Sequence, residues 1–409
     1  MKRPELLSPA GNMEKMKAAI LYGADAVYLA GKLFGMRAAA DNFDIPELIE
    51  AVEYAHERGV KVYLTLNTMP REKDLPLLKE YIEQLRPIKL DALIVADIGV
   101  LSLVHELLPD VDIHISTQAN AVSSLAVRSW CALGATRVVL ARELTLDEIR
   151  EIRQNVPPEI ELECFIHGSM CISYSGRCLL SGHIVGRDAN MGMCAQPCRW
   201  NYTIRGYEIT EEKRPDRSMP IEEINGETFI MASRDTCTIE HIPELVEAGI
   251  SSFKIEGRMK SAYYTAVVTN TYRMALDSYF SGSYAYNPDW LRELLSVSHR
   301  EYATGYYFSD SHTDANLAPN NGYIKDKAYL AVCLSYDEGR GLAKLEQRNK
   351  MTLGDRVERL TPGECGAEIA YDALLDESLE PIDASRHPYM IFYMHTECRM
   401  KPGDIIRAL

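Results

Sequence analysis

Gly23-Ala24-Asp25-Ala26-Val27-Tyr28 is one of three versions of a single junction in this 409-residue chain; the others are Gly134-Ala135-Thr136-Arg137-Val138-Val139 and Ala248-Gly249-Ile250-Ser251-Ser252-Phe253. Each carries a glycine where a helix has to stop, then a β-branched or aromatic run, as a helix C-terminus opening a buried strand requires. Working outward, short apolar runs fall at Glu5–Ser8, Ala26–Ala30, Lys61–Leu66, Ala92–Ala96, Asp112–Ser116, Arg137–Ala141, Ile160–Ile166 and Ser252–Ile255, eight in all. Amphipathic segments separate them; in residues 45–58, for example, Ile45, Leu48, Ile49, Val52 and Ala55 share one helical face. Eight such units predict an α/β chain with a (β/α)8 TIM-like barrel, interrupted after the seventh strand by a cysteine-rich insertion at about residues 168–238. A doubly wound open sheet is the competing architecture. The count of eight and the lack of a Gly-rich dinucleotide turn after the first strand favour the barrel.

Beyond Tyr306 the pattern changes to short alternating strands (Ala328–Cys333, Gly341–Leu345, Asp355–Leu360, Tyr389–Tyr393, Asp404–Arg407) broken by Gly, Pro and Asp turns. This predicts a small C-terminal antiparallel β-barrel domain over residues 321–409, after a barrel domain over residues 1–320. With 46% hydrophobic and 25% charged residues the composition is that of an ordinary globular protein. Met1-Lys2-Arg3-Pro4-Glu5 has no apolar core of signal-peptide length behind it, and the most apolar stretch, 92–108, contains Asp97, His105 and Glu106. Neither secretion nor a membrane span is expected, and the expected compartment is the cytoplasm. A formal charge of −15 repels nucleic acid globally, so any RNA contact has to come from a local cationic patch.

Half of the ten cysteines crowd into one stretch: Cys164, then Cys171-x6-Cys178-x15-Cys194-x3-Cys198. In a reducing compartment the last four read as ligands of one metal centre. Zinc and iron–sulfur clusters both take four thiolates; the irregular spacing leans towards a cluster held by a loop and leaves zinc open. Alternation places Cys164 with the apolar residues of its strand, as an inert buried thiol. Cys237 is the alternative to Cys198 as fourth ligand.

In a barrel, chemistry sits where strands end, here at Asn12, Arg37, Asn67, Asp97, Gln118, Arg142, His167, Glu256 and Arg258. His167 reads equally as an acid–base group or a satisfied strand-end histidine. Arg177, Arg187 and Arg199, with Lys254, Arg258 and Lys260, read singly as solvated charges and together as a cationic mouth for an anionic substrate. Signatures for zinc proteases, nucleophile-elbow hydrolases and Walker nucleotide binding are missing.

The stretch 163–181 (ECFIHGSMCISYSGRCLLS), with Leu7-Ser8-Pro9-Ala10-Gly11-Asn12, Gly186-Arg187-Asp188-Ala189-Asn190, Cys198-Arg199-Trp200 and Phe253-Lys254-Ile255-Glu256-Gly257-Arg258, resembles the U32 "peptidase" family. Length, Ser298-His299-Arg300-Glu301-Tyr302 and the C-terminal β domain look most like its branch of prephenate-dependent tRNA uridine hydroxylases. That resemblance implies oxygen-independent hydroxylation of wobble uridine 34 of tRNA to 5-hydroxyuridine, with prephenate and a 4Fe-4S cluster on Cys171, Cys178, Cys194 and Cys198. It leaves open another RNA such as 23S ribosomal RNA, a collagenase-like peptidase, and a homologous or redox protein partner. Within this reading His167, Glu163 and Glu256 are the proton-transfer candidates. Asn67, Gln118, Arg142, Lys254 and Arg258, with Tyr174, Arg187 and Arg199 of the insertion, are the candidates for binding an anticodon-loop base, phosphate or prephenate carboxylates; Tyr174 and Trp200 are the stacking candidates.

Overall fold

The computed structural model describes residues 2–36, 41–175, 177–179, 181, 185–199, 208–211, 214–220, 222–224, 227–229, 233–282, 284–309, 324 and 327–409. They divide into two compact units: Met1–Met16, Asp25–Lys260 and His299–Tyr323 in the first, and Lys17–Ala24, Ser261–Ser298 and Ile324–Leu409 in the second.

In the first unit the apolar runs become strands β1 (Glu5–Pro9), β2 (Ala26–Ala30), β3 (Lys61–Leu66), β4 (Ala92–Val95), β5 (Asp112–Ile115), β6 (Arg137–Val139) and β7 (Glu161–Ser169). After the insertion, whose backbone holds the hairpins β8 (Glu208–Glu211) with β9 (Arg214–Pro220) and β10 (Glu222–Ile224) with β11 (Glu227–Phe229), come β12 (Asp235–Cys237), β13 (Ser252–Ile255) and β14 (Tyr302–Ala303). Strands β1 to β7 pair in parallel with their sequence neighbours, and β13 pairs in parallel with both β1 and β7. The expected eight-stranded parallel barrel is therefore closed.

The crossovers carry α1 (Met13–Leu21), α2 (Ile45–His56), α3 (Leu75–Leu85), α4 (Ile98–Leu107), α5 (Ser124–Ala132), α6 (Leu146–Gln154) and α7 (Ile242–Glu247). Their starts are set locally. Asp44 and Glu47 cap α2 reciprocally, as do Thr145 and Glu148 for α6, satisfying amide groups that a helix N-terminus leaves without partners. Asp97, a strand-end residue by sequence, caps α4 by accepting from the amides of Gly99 and Val100.

One feature departs from the simple barrel. β7 runs on to Ser169 because β12 pairs antiparallel with its end, matching Asp235 to Ser169, Thr236 to Gly168 and Cys237 to His167, and β14 in turn pairs with β12. Gly168 makes this possible: its φ is +107°, and a Cβ there would lie 2.3 Å from the Glu256 carbonyl oxygen.

The second unit holds α8 (Ala262–Phe280), α9 (Pro288–Leu295) and an eight-stranded antiparallel sheet, as the alternating runs of the C-terminal region predict. The sheet comprises β15 (Tyr329–Asp337), β16 (Leu342–Gln347), β17 (Val357–Leu360), β18 (Ala367–Ile369), β19 (Ala373–Leu375), β20 (Pro381–Ile382), β21 (Ile391–His395) and β22 (Ile405–Ala408). It curls as a half-barrel around Leu330, Leu345, Val357, Phe392, Met394 and Ile406. Arg407 is buried and reaches both carboxylate oxygens of Glu293 at 2.7 and 2.8 Å and Glu358 at 2.8 Å, tying α9 to the sheet.

Candidate active site

The barrel interior is charged. Glu5 on β1 meets Arg137 on β6 at 2.6 Å, and Arg137 also meets Glu161 at 2.6 Å and Glu163 at 3.1 Å. The other oxygen of Glu163, a residue with 0% exposure, accepts from Lys254 Nζ at 2.6 Å. Since β1 and β6 are not neighbours in the sheet, the Glu5–Arg137 contact crosses the lumen. Burial alone would raise the pKa of Glu163, but the two cations hold it below the usual carboxylate range, so it stays ionised. Burial pulls Lys254 below the ordinary lysine value against the attraction of Glu163. Tyr63 donates to Glu5 at 2.6 Å, and His114 packs edge-on against Tyr63 and is kept neutral by burial and by the nearby Arg137 and Lys254 charges.

This stack leads to the strand C-termini. The Lys254 ammonium lies 4.5 Å from the Tyr28 ring centroid, and Tyr28 donates to the Ile255 carbonyl and to Glu256 Oε2 at 3.3 Å. The Arg142 guanidinium sits over the Phe165 ring, 3.8 Å from its centroid, donates to the Ser169 carbonyl at 2.8 Å and reaches within 4.0 Å of Glu256. Arg258 is 3% exposed and donates to Thr65 Oγ1. Close by in sequence to Thr65, Asn67 accepts from the Met36 amide and donates to Ser116, whose hydroxyl donates to Gln118. Arg142, Glu256, Lys254, Arg258, Asn67 and Gln118 are thus gathered at one end of the barrel, cations beside aromatic faces and amides held by their neighbours. Such a mouth can orient a planar, oxygen-rich ligand and stabilise negative charge on it.

Glu163 lies deeper. Both of its oxygens are engaged, which suits it to hold Lys254 in place. His167, 1% exposed, is pulled down to about 3 by burial, with the Lys260 and His299 charges adding to the effect; it is a neutral imidazole. Its Nε2 lies 3.4 Å from the Tyr302 hydroxyl, and the Tyr302 ring stacks on His299 at 4.3 Å. Beneath them Asp235 accepts from the Arg300 amide, while the Arg300 side chain donates to the Ser233 carbonyl. Tyr302, His299 and Tyr28 have no site role in the sequence reading. The only local signal was the run His299-Arg300-Glu301-Tyr302, and nothing in it says that β14 adds to β12 beside His167.

The insertion is fastened to loops on the same side. Arg71, after β3, pairs with Asp188 at 3.1 Å, and Gly192 packs so closely that a Cβ would lie 2.5 Å from the Gly35 carbonyl oxygen. Arg187 donates to the Met193 carbonyl and is exposed, as is Tyr174. The side chain of Arg199, and Trp200 altogether, lie outside the described residues. Cys171, Cys178, Cys194 and Cys198 are all half-buried, and Cys194 Sγ accepts from the Gln196 amide at 3.3 Å. Among the described residues, no three His, Cys, Asp or Glu side chains come together as a metal site. Cys164 is buried, which pushes its thiol well up, and Cys237 is buried beside His167. No helix among the described residues is long and apolar enough to cross a membrane.

Comparison with known proteins adds the following. The sequence profile of peptidase family U32 matches residues 11–317, and that of its C-terminal domain matches residues 325–407. The tRNA hydroxylation protein P1 of Bacillus subtilis is 37% identical over 99% of this chain and 95% of its own length. The tRNA hydroxylation protein P of Haemophilus influenzae is 36% identical over 94% of this chain and 91% of its own. A Porphyromonas gingivalis protein named collagenase is 31% identical over 86% of this chain and 85% of its own.

Proposed function

The chain belongs to the peptidase U32 family, and from that footing we propose that it is a tRNA-modifying hydroxylase. Near-full-length likeness to two tRNA hydroxylation proteins carries the reading, and a mouth built from cations, carboxylate and aromatic faces supports it. Its finer content is conversion of wobble uridine 34 to 5-hydroxyuridine, dependent on prephenate and independent of dioxygen. An unpaired anticodon loop makes it cheap to turn the uridine out of its stack. Arg142, Lys254 and Arg258 would receive phosphate or carboxylate oxygens. Glu256, held by Tyr28 and near Arg142, is the carboxylate available to accept a proton, and neutral His167 keeps Tyr302 in place.

Cys171, Cys178, Cys194 and Cys198 are the proposed holders of a 4Fe-4S cluster, with Cys237 the alternative to Cys198. The residue types suit such a group, four half-buried thiols with the Gln196 amide directed at Cys194 as the kind of N–H contact that cluster sulfurs accept, while this structure does not gather them into one site. Held by four thiolates, such a cluster would supply one-electron chemistry. The test is to measure 5-hydroxyuridine in tRNA from a strain lacking the gene, complemented with wild type or Cys194→Ser, alongside iron and sulfide content of the anaerobically purified proteins. Cys194→Ser is expected to lose the nucleoside and most of the iron; full rescue would remove the cluster from the reaction. The collagenase relative keeps peptidase activity as a second reading, which cleavage of protein by the purified chain would favour.

A further inference from the structure

In the second unit two segments, residues 347–351 and 385–390, run side by side. Backbone hydrogen bonds from Gln347 to Met390 and from Ser385 to Met351, both 2.9 Å, hold them at each end. Between these points Asn349, Lys350, Arg386, His387, Pro388 and Tyr389 are all exposed. Tyr389 is 66% exposed and has φ +60°, a left-handed conformation that a bulky side chain adopts only at a cost. The guanidinium of Arg348 lies 5.1 Å from its ring centroid and 5.9 Å from that of Tyr329. The turn that the Met390 amide closes on the His387 carbonyl at 3.0 Å, with Pro388 ahead of Tyr389, presents a large aromatic ring outward, beside a cation and among polar neighbours.

We propose that this loop pair is a contact site for single-stranded RNA, with Tyr389 stacking an unpaired base and Lys350 and Arg386 receiving adjacent phosphates. The proposal rests on the tRNA reading above. A stacking platform for nucleic acid needs an exposed π-face and cations to track the backbone, and it tolerates any base. The two segments carry Arg348, Lys350 and Arg386 against the paired carboxylates of Glu346 and Asp383, three cations to two carboxylates in a chain of formal charge −15. The polar ring of Asn349, Lys350, Arg386 and His387 around Tyr389 favours RNA over an apolar protein surface.

The test is binding of the full-length chain to an unmodified tRNA transcript by fluorescence anisotropy at several salt concentrations, with thermal melting of each variant. Tyr389→Gly is expected to weaken binding about tenfold, within the range of base–aromatic stacking. The same variant is expected to melt no lower than wild type, because glycine accepts φ +60° freely, whereas a purely structural role for the ring would move the two readouts together. Tyr389→Phe is expected to bind as wild type. Lys350→Ala with Arg386→Ala is expected to flatten the log–log salt slope by about 0.7 for each phosphate contact removed. Wild-type affinity in Tyr389→Gly overturns the site while leaving the tRNA reading intact; a wild-type chain with no affinity for tRNA overturns both.

Discussion

Replacing Glu163 by Gln tests whether the buried charge stack holds the barrel together. The wild-type carboxylate accepts from Lys254 at 2.6 Å and from Arg137 at 3.1 Å, with no exposure to water. Removing one partner of a buried ion pair typically costs about 3–5 kcal/mol, because the remaining charge is stranded. Arg137 keeps Glu5 and Glu161, and the new amide still accepts one hydrogen bond, so the lower end, about 3 kcal/mol, is expected. With a urea slope of about 3 kcal/mol per molar, the unfolding midpoint drops by about 1 M. The pH dependence has a definite sign. Without Glu163, burial depresses Lys254 further, so the folded state loses a proton that the unfolded state keeps up to pH about 10.4; stability of the variant therefore rises with pH across the alkaline range below that value. Adding Lys254→Met removes the stranded charge and recovers most of the loss. Urea titrations at several pH values on the four proteins of this cycle measure both effects. A midpoint for Glu163→Gln within experimental error of wild type, or strictly additive single and double variants, would show that the stack is not coupled as the distances imply.

Two further outcomes follow from the same geometry. His167 titrates near 3 when folded against about 6.5 when unfolded, so the unfolded state binds more protons between these values and stability falls as pH drops through the window. His167→Gln is expected to flatten that part of the urea-midpoint profile, and an unchanged slope would contradict the neutral buried imidazole. Gly168→Ala forces a Cβ to within 2.3 Å of the Glu256 carbonyl oxygen at a φ of +107°, so it is expected to lower both the urea midpoint and 5-hydroxyuridine formation; wild-type behaviour in both would show that the β7–β13 approach is not tight.

Several elements coincide with the sequence reading at both ends, among them Ala26–Ala30, Lys61–Leu66 and Ser252–Ile255, because strands buried in a parallel barrel announce themselves as apolar runs between helix stops and turns. Others were read at the wrong length. β6 ends at Val139, not Ala141, and β7 continues to Ser169, not Ile166. The extension of β7 depends on β12, more than 60 residues later, whose pairing no local pattern encodes. At the candidate site Asn67, Gln118, Arg142, Glu256 and Arg258 were legible as residues that follow barrel strands. Tyr302 and His299 were not, since they come from a short strand outside the eight-unit repeat and from the residues just before it.

By itself the sequence determined the kind of fold, the cysteine-rich insertion and the family, since periodicity, turn residues and contiguous motifs are local properties of the chain. Tertiary structure alone decided the use of the charges. Glu5 and Arg137 lie 132 positions apart and meet only because closing the barrel brings β1 and β6 across one lumen. Once there, a low-dielectric interior makes each charge depend on its partner, which turns Glu163 from a proton-transfer candidate into the anchor of Lys254.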